Sequence, residues 1–270
     1  MTAAADIALP VHAASERGAR VRHRLALIVH LTRQEIKLSS RFSTVGALWP
    51  LLRQLAQLAV ITVAFTAVLD LGIPNYAAFV LAGLVGWTWF VSAMTTSADA
   101  IRWKRELAMR PGFPTLILPV LAVTVPLFDV LLALPLLFGL LVFTAEVHAA
   151  TPLLLPLLLL QGLLMVGLGW VVSSVAVFLR DVPQIVTLFV TLGFYITPIY
   201  FDVSRVPADY QWIIRLNPMA VLLEAQRAAL LGTPWPPVSS LMALGVLTVV
   251  LLGCGFLLFT KLSRRFADEL

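Results

Sequence analysis

The sequence has one cysteine, Cys254, and it lies inside the last apolar run. A single thiol excludes a disulfide framework and a thiol cluster for metal or redox work, which leaves packing as its role. Histidine is nearly as scarce. His12, His23, His30 and His148 fall outside the apolar runs and form no H-E-x-x-H or comparable zinc spacing. No G-x-x-x-x-G-K-[ST] loop occurs, so the chain has no phosphate cradle for ATP, and no G-x-S-x-G elbow is present. A catalytic site is not expected; carboxylate chemistry at Asp129 or Asp181 is the one opening left. Charge is sparse as well, with 12% charged against 60% hydrophobic residues and a mean hydropathy of +0.95. That balance excludes a soluble domain and indicates an all-α polytopic membrane protein.

The net charge of +5 does not form a nucleic-acid patch, because the basic residues sit at the ends of apolar runs. Residues 1–20 hold no apolar core of signal-peptide length and read as a disordered cytoplasmic tail. Residues 21–42 wind onto a two-faced interfacial helix, with Val21, Leu25, Ile28, Thr32 and Ile36 opposite Arg22, His30, Arg33, Lys37 and Arg41. Arg33, Lys37 and Arg41 at four-residue spacing repel one another, so an anionic neighbour is expected: lipid headgroups, or a phosphate-bearing substrate.

Residues 43–270 read as a six-span transmembrane domain. The first span carries Arg53, Gln54 and Gln57 within about one turn; they face protein or a wet cavity, or Arg53 snorkels to the headgroups. The second holds Trp87 and ends in hydroxyls before a cytoplasmic loop with Arg102, Trp103, Lys104, Arg105 and Arg110. The third has Pro119, Pro126 and Pro135, with Asp129 near its middle, either bonded to another helix or facing an aqueous path. In the fourth, Gly162, Gly167 and Gly169 suit close helix packing. Sixteen of the nineteen Lys and Arg fall on one side and three (Arg205, Arg215, Arg227) on the other, which places both termini in the cytoplasm.

The stretch from Phe178 to Pro237 is the most informative. Arg180 and Asp181 mark a cytoplasmic turn before the fifth span, with Asp181 expected to cap the helix that Pro183 opens and Arg180 to bond the last carbonyls of the fourth span. Near its far end, Tyr195 and Tyr200 replace aliphatic residues. Trp212 to Leu231 is no span, because Arg215, Glu224 and Arg227 each cost roughly 2.5–3.5 kcal/mol near a membrane centre. External helices broken at Asn217-Pro218, interfacial or re-entrant, are expected instead.

Five segments together resemble one family: F-S-T-V-G-A-L-W-P-L-L, F-L-R-D-V-P-Q-I, F-Y-I-T-P-I-Y, L-N-P-M-A and the C-terminal F-A-D-E-L. They are similar to the permease subunits of ABC-type polysaccharide exporters, the type 2 permeases that move lipid-linked O-antigen, teichoic acid, capsule or cell-wall galactan precursors. The similarity covers residues 22–270. It implies a homodimer in the cytoplasmic membrane, paired with two copies of a separate ATPase that supplies ATP and Mg, exporting a lipid-linked glycan. On this sequence it implies ATPase coupling by Arg33, Lys37, Arg41, Arg102, Trp103, Lys104 and Arg105. A pathway would draw on Arg53, Gln54, Gln57, Trp87, Asp129, Tyr195 and Tyr200, and an external gate on Arg215, Glu224 and Arg227. Arg53 departs from the neutral residue expected after W-P-L-L. Rival readings are a drug or small-lipid exporter of the same family, a membrane enzyme acting on prenyl phosphates, and a purely structural subunit.

Overall fold

The computed structural model describes residues 11–40, 48–68, 72–143 and 148–269. Residues 1–10, Arg41, the F-S-T-V-G segment and part of the A-E-V-H turn lie outside them. All regular structure among the described residues is helical. The main elements are α1 (Val11–Ser40), α2 (Trp49–Val63, running on as a π turn to Val68), α3 (Tyr76–Trp103), α4 (Arg105–Ala108), α5 (Ile117–Thr124) and α6 (Leu127–Phe143). They are followed by α7 (Leu154–Phe178), α8 (Val182–Ile196), α9 (Ala208–Arg215), α10 (Pro218–Leu231), α11 (Val238–Leu262) and α12 (Phe266–Glu269).

Among the described residues, four helical stretches are long and apolar enough to cross a membrane: Tyr76–Trp103, Ile117–Phe143, Thr151–Phe178 and Val238–Glu269. α8 is a shorter apolar helix, about 22 Å at 1.5 Å per residue, and residues 49–68 reach about 30 Å.

α3 is the axis on which the others assemble, with α2, α5, α6, α7, α8 and α10 all packed on it. Its sequence is apolar all round rather than striped, which is the pattern of a helix buried on every side. Small residues set the closest approaches. A Cβ on Gly86 would lie 2.6 Å from Leu223 Cδ2, and one on Gly167 of α7 would lie 2.8 Å from the backbone of α11 at Leu251. The glycines of the fourth span therefore do serve close packing, Gly169 against Ser97 and Gly162 against Trp89.

The third span is interrupted at Pro126, while Pro119 and Pro135 lie within helices. α5 ends at Thr124 and α6 starts at Leu127, with Pro126 between, and the Trp89 indole N–H donates to the Val123 carbonyl at 2.9 Å. A carbonyl at a broken helix end is thereby paired from a neighbouring helix, as a low-dielectric setting requires. Asp129 comes to lie in the first turn of α6.

One boundary differs from expectation. α1 begins at Val11, so the limit placed at Val21 falls inside a helix; H-A-A-S-E-R contains strong helix formers. Its packed face is Leu27, Ile28 and Leu31 against Ile101, Ile117 and Leu118, with Thr32 Oγ1 3.0 Å from Thr124 Oγ1. Leu25 is exposed, because the partner of this face is α5 rather than a flat lipid surface.

The break at Asn217-Pro218 is where the sequence puts it. The Asn217 carboxamide oxygen accepts the Met219 N–H at 3.0 Å and caps α10. At about 21 Å, α10 is too short to cross. It does not lie on a surface: Met219 to Leu223 and Ala225 to Leu230 are all buried, against α3, α7 and α11.

Candidate functional site: a central polar cleft and its outer neighbours

Five of the seven residues expected on a pathway converge. Arg53, Gln54 and Gln57 of α2, Trp87 of α3 and Asp129 of α6 line one cleft of about 280 Å³, joined by Thr88, Ser92 and, from α8, Phe194. The helical spacing of the α2 residues places them on one face, and the Pro126 break aims the start of α6 at the same place. Gln54 is only 6% exposed, and its Nε2 has no hydrogen-bond partner among the described residues. A buried amide without a partner is costly, so this wall is set up for a polar occupant or water.

Tyr195 and Tyr200 are not on that wall. Tyr195 is exposed, and the Tyr200 hydroxyl donates to the Tyr195 carbonyl at 3.2 Å within an aromatic group that includes Phe65, Phe194 and Phe201. The chain leaves helical geometry at Thr197, which is extended with φ −80° and ψ 136°, and this turns Tyr200 away from the axis of α8.

That departure exposes backbone carbonyls, and α3 and α10 satisfy them. Arg227, 3% exposed, donates through Nη1 to the Pro198 carbonyl, through Nη2 to that of Ile199, and through Nε to that of Phe79 at 3.1 Å. Its guanidinium carbon sits 3.6 Å from the centre of the Phe79 ring. The next carbonyl, Tyr200, accepts from the Tyr76 hydroxyl at 2.8 Å. Asn217 Nδ2 donates to Thr197 Oγ1 at 2.8 Å, so the capping residue of α10 also holds the break. Arg227 is thus a buried latch that joins the segment after α8 to α3 and α10. Burial pushes its guanidinium down to about 9, with Asp202 and Glu224 opposing, and it stays charged at neutral pH.

Arg215 and Glu224 do share a place, a second cleft of about 360 Å³ at the α9–α10 end, which Arg227 borders from beneath. Burial raises Glu224 above the usual carboxylate range, with Arg215 opposing and Asp202 adding to the rise.

A further polar link went unnoticed in the sequence. Gln226 of α10 donates to Gln161 Oε1 at 2.8 Å, and Gln161 Nε2 donates to the Gly86 carbonyl at 2.7 Å. Both side chains are buried. Gln161 interrupts an unbroken aliphatic run, and a lone amide there requires a partner across helices; that was the available signal.

At the opposite end of the fold, the residues expected to couple to an ATPase divide. Lys104 forms an ion pair with Glu35 and ties α3 to α1, while Arg102 Nη2 donates to the Val177 carbonyl at 3.4 Å. Trp103 is 85% exposed and Arg105 is exposed beside it. Arg33 and Lys37 line a shallow basic depression on α1 with His30 and Gln34. Arg41 lies outside the described residues.

The Arg180-Asp181 corner is built differently from expectation. Asp181 has helical dihedrals (φ −86°, ψ −10°) and makes no capping bond. A capping side chain needs an extended backbone, and Pro183 presents no amide to it. The α7 carbonyl bond expected from Arg180 is made by Arg102 instead.

A family model described as ABC-2 type transporter matches residues 26–231. Similar proteins include an O-antigen export system permease protein RfbA of Myxococcus xanthus, 30% identical over 247 residues, covering 90% of this chain and 95% of the relative. Two proteins of the same description from Klebsiella pneumoniae are 29% and 28% identical, with the same coverage of both chains.

Proposed function

The chain belongs to the ABC-2 type transporter family, and from that premise we propose that it is the membrane-spanning permease subunit of an exporter that carries a lipid-linked polysaccharide outward at the expense of ATP. The export of a polysaccharide is what its relatives' description names. The observation that carries the reading in this molecule is the central cleft, where Arg53, Gln54, Gln57, Trp87 and Asp129 gather from three helices. Amides, a guanidinium, a carboxylate and an indole face are the groups that exchange hydrogen bonds with sugar hydroxyls and stack on sugar rings. A path for a compact apolar solute has no use for them.

Six spans complete the architecture, with residues 49–68 and α8 as the first and fifth. α8 alone is shorter than a hydrocarbon core of about 30 Å, which a short span meets by local thinning of the bilayer. The sixteen-to-three distribution of Lys and Arg supports both termini in the cytoplasm, with α9, α10 and their cleft facing outward. Two copies of the chain assemble with two copies of a separate ATPase. Trp103 and Arg105 are exposed where that partner would dock, with Arg33 and Lys37 on the basic face of α1. The Lys104–Glu35 pair makes α1 and the α3 end move together.

Deleting the gene in its host tests this reading. The surface glycan should disappear while its lipid-linked precursor accumulates inside, and the wild-type gene should restore both. Asp129→Asn and Gln57→Leu chains, present in the membrane at wild-type level, should restore surface glycan poorly. An unchanged surface glycan in the deletion strain would refute the proposal.

A further inference from the structure

The outer cleft has features that gating alone does not require. It is framed by α9, α10 and the linker from Thr233 to Pro237, and a second hollow of about 360 Å³ adjoins it. The two share Phe79, Asp202, Ser204 and Thr233 along their common border, so together they make one trough with two lobes. Each lobe is near the lower end of the roughly 300–1,000 Å³ range of small-ligand sites. An elongated, two-lobed trough suits consecutive units of a chain better than one compact solute.

Its lining mixes charged groups with apolar ones such as Phe79, Ile73 and Leu231. Asp202 and Glu224 stand beside Arg205 and Arg215, while the donors of the Arg227 guanidinium are spent on three carbonyls. One Asp202 oxygen accepts the Ser204 N–H at 2.7 Å, which fixes that carboxylate in place. Glu224 is half-buried, yet among the described residues it has no hydrogen bond and no ion pair within 4 Å. Desolvating a carboxylate without pairing it is costly, and its burial serves no bond within the fold. Trp235 stands on the same wall, 43% exposed, with an indole face free to stack. A cationic ligand would meet an excess of like charge, and an anionic one would meet a single excess guanidinium, Arg227, whose donors are already spent on three carbonyls. A neutral ring rich in hydroxyls would find acceptors, donors and a flat apolar platform.

From these observations we infer that the trough is a glycan subsite, in which a neutral sugar unit of the emerging chain stacks on Trp235 and hydrogen-bonds Glu224, Arg215 and Gln211. The inference rests on the export reading and adds to it a grip on the leaving polymer beyond the latch formed by Arg227. A weak grip of this kind biases the chain against sliding back between strokes.

The test uses the full chain in lipid nanodiscs with maltotriose, mannotriose and galactotriose as probes, read by saturation-transfer NMR. Inorganic pyrophosphate, followed by phosphorus line broadening, is the ionic comparator. At least one trisaccharide should receive saturation from the wild-type chain. Trp235→Ala should reduce that transfer at least fivefold, Glu224→Gln two- to threefold, and Trp235→Tyr should keep most of it by keeping a ring. No transfer to any of the three sugars, undiminished transfer in Trp235→Ala, or displacement of the sugar by pyrophosphate would each overturn the subsite. Surface glycan measured in the deletion strain separates the two ideas. If the wild-type gene restores glycan while the trough binds no sugar, the subsite alone fails; if it restores none, the export reading fails.

Discussion

Replacing Arg227 by methionine removes the latch while keeping a long side chain of similar reach. The carbonyls of Pro198 and Ile199 then lose their donors at the extended segment after α8, at roughly 1–3 kcal/mol each when they stay buried. The contact with the Phe79 ring, 3.6 Å from centre to guanidinium carbon, is worth roughly 0.5–2 kcal/mol more. Against this, methionine no longer has to carry a charge out of water, which returns part of the loss. A net loss of about 2–5 kcal/mol follows, or about 4–20 °C of melting temperature for a chain of this size. Arg227→Lys, with one compact ammonium in place of a planar fork, should lose about half as much. Gly83→Ala reaches the same latch from the other side, because its new Cβ would run into Arg227 Nη2 and sit 3.1 Å from the Ile199 carbonyl. The double variant Gly83→Ala/Arg227→Met should therefore lose clearly less than the sum of the two. Thermal unfolding in one detergent, followed by tryptophan fluorescence, measures all four proteins. A melting temperature for Arg227→Met within about 2 °C of wild type, together with strict additivity in the double variant, would refute the latch.

Gln161→Leu and Gln226→Leu should each destabilise by roughly 1–3 kcal/mol, since each strands a buried amide, whereas the double substitution should recover much of the loss in a thermal double-mutant cycle. Glu224 titrates above its ordinary value in the folded chain, so the native state favours its protonated form. The associated stability is present below the unfolded value of about 4.5 and is lost as pH rises through the raised folded value. Glu224→Gln should consequently melt higher than wild type at pH 7, and the gap should close as pH falls toward 4.5; a gap independent of pH would contradict this. Asp181→Ala and Asp181→Asn should both leave the melting temperature within about 1 °C of wild type, because no capping bond is present to lose; a drop confined to the alanine variant would restore the cap.

An all-helical membrane protein was legible because the apolar runs are long, and four spans stand on length and hydropathy among the described residues. The polar α2 face and Asp129 were also legible as a group, because a charge or amide inside an apolar run has few places to go. What sequence could not supply was which partner each polar residue takes. Arg227 read as a cost to be kept out of the membrane, and its answer lies in carbonyls 28 and 29 residues upstream, freed by a break whose geometry no local pattern encodes. Lys104 and Arg102 read as parts of one basic loop, yet each finds a partner on another helix, at Glu35 and Val177. The Asp181 cap is absent for a local reason that is only half visible: a proline two residues on removes one of the two amides a cap can use, and the helical dihedrals of Asp181 turn its side chain from the other.

ATP-driven movement of a glycan tests the export reading most directly. Proteoliposomes containing this chain and its cognate ATPase, loaded with a fluorescent lipid-linked oligosaccharide, should transfer label across the bilayer only with ATP and Mg, and the chain alone should hydrolyse no ATP. Asp129→Asn and Gln57→Leu alter the central cleft and, at wild-type melting temperature, should slow transfer by at least tenfold. Transfer at the wild-type rate in both cleft variants, or none in the intact complex, would contradict a glycan path through these residues.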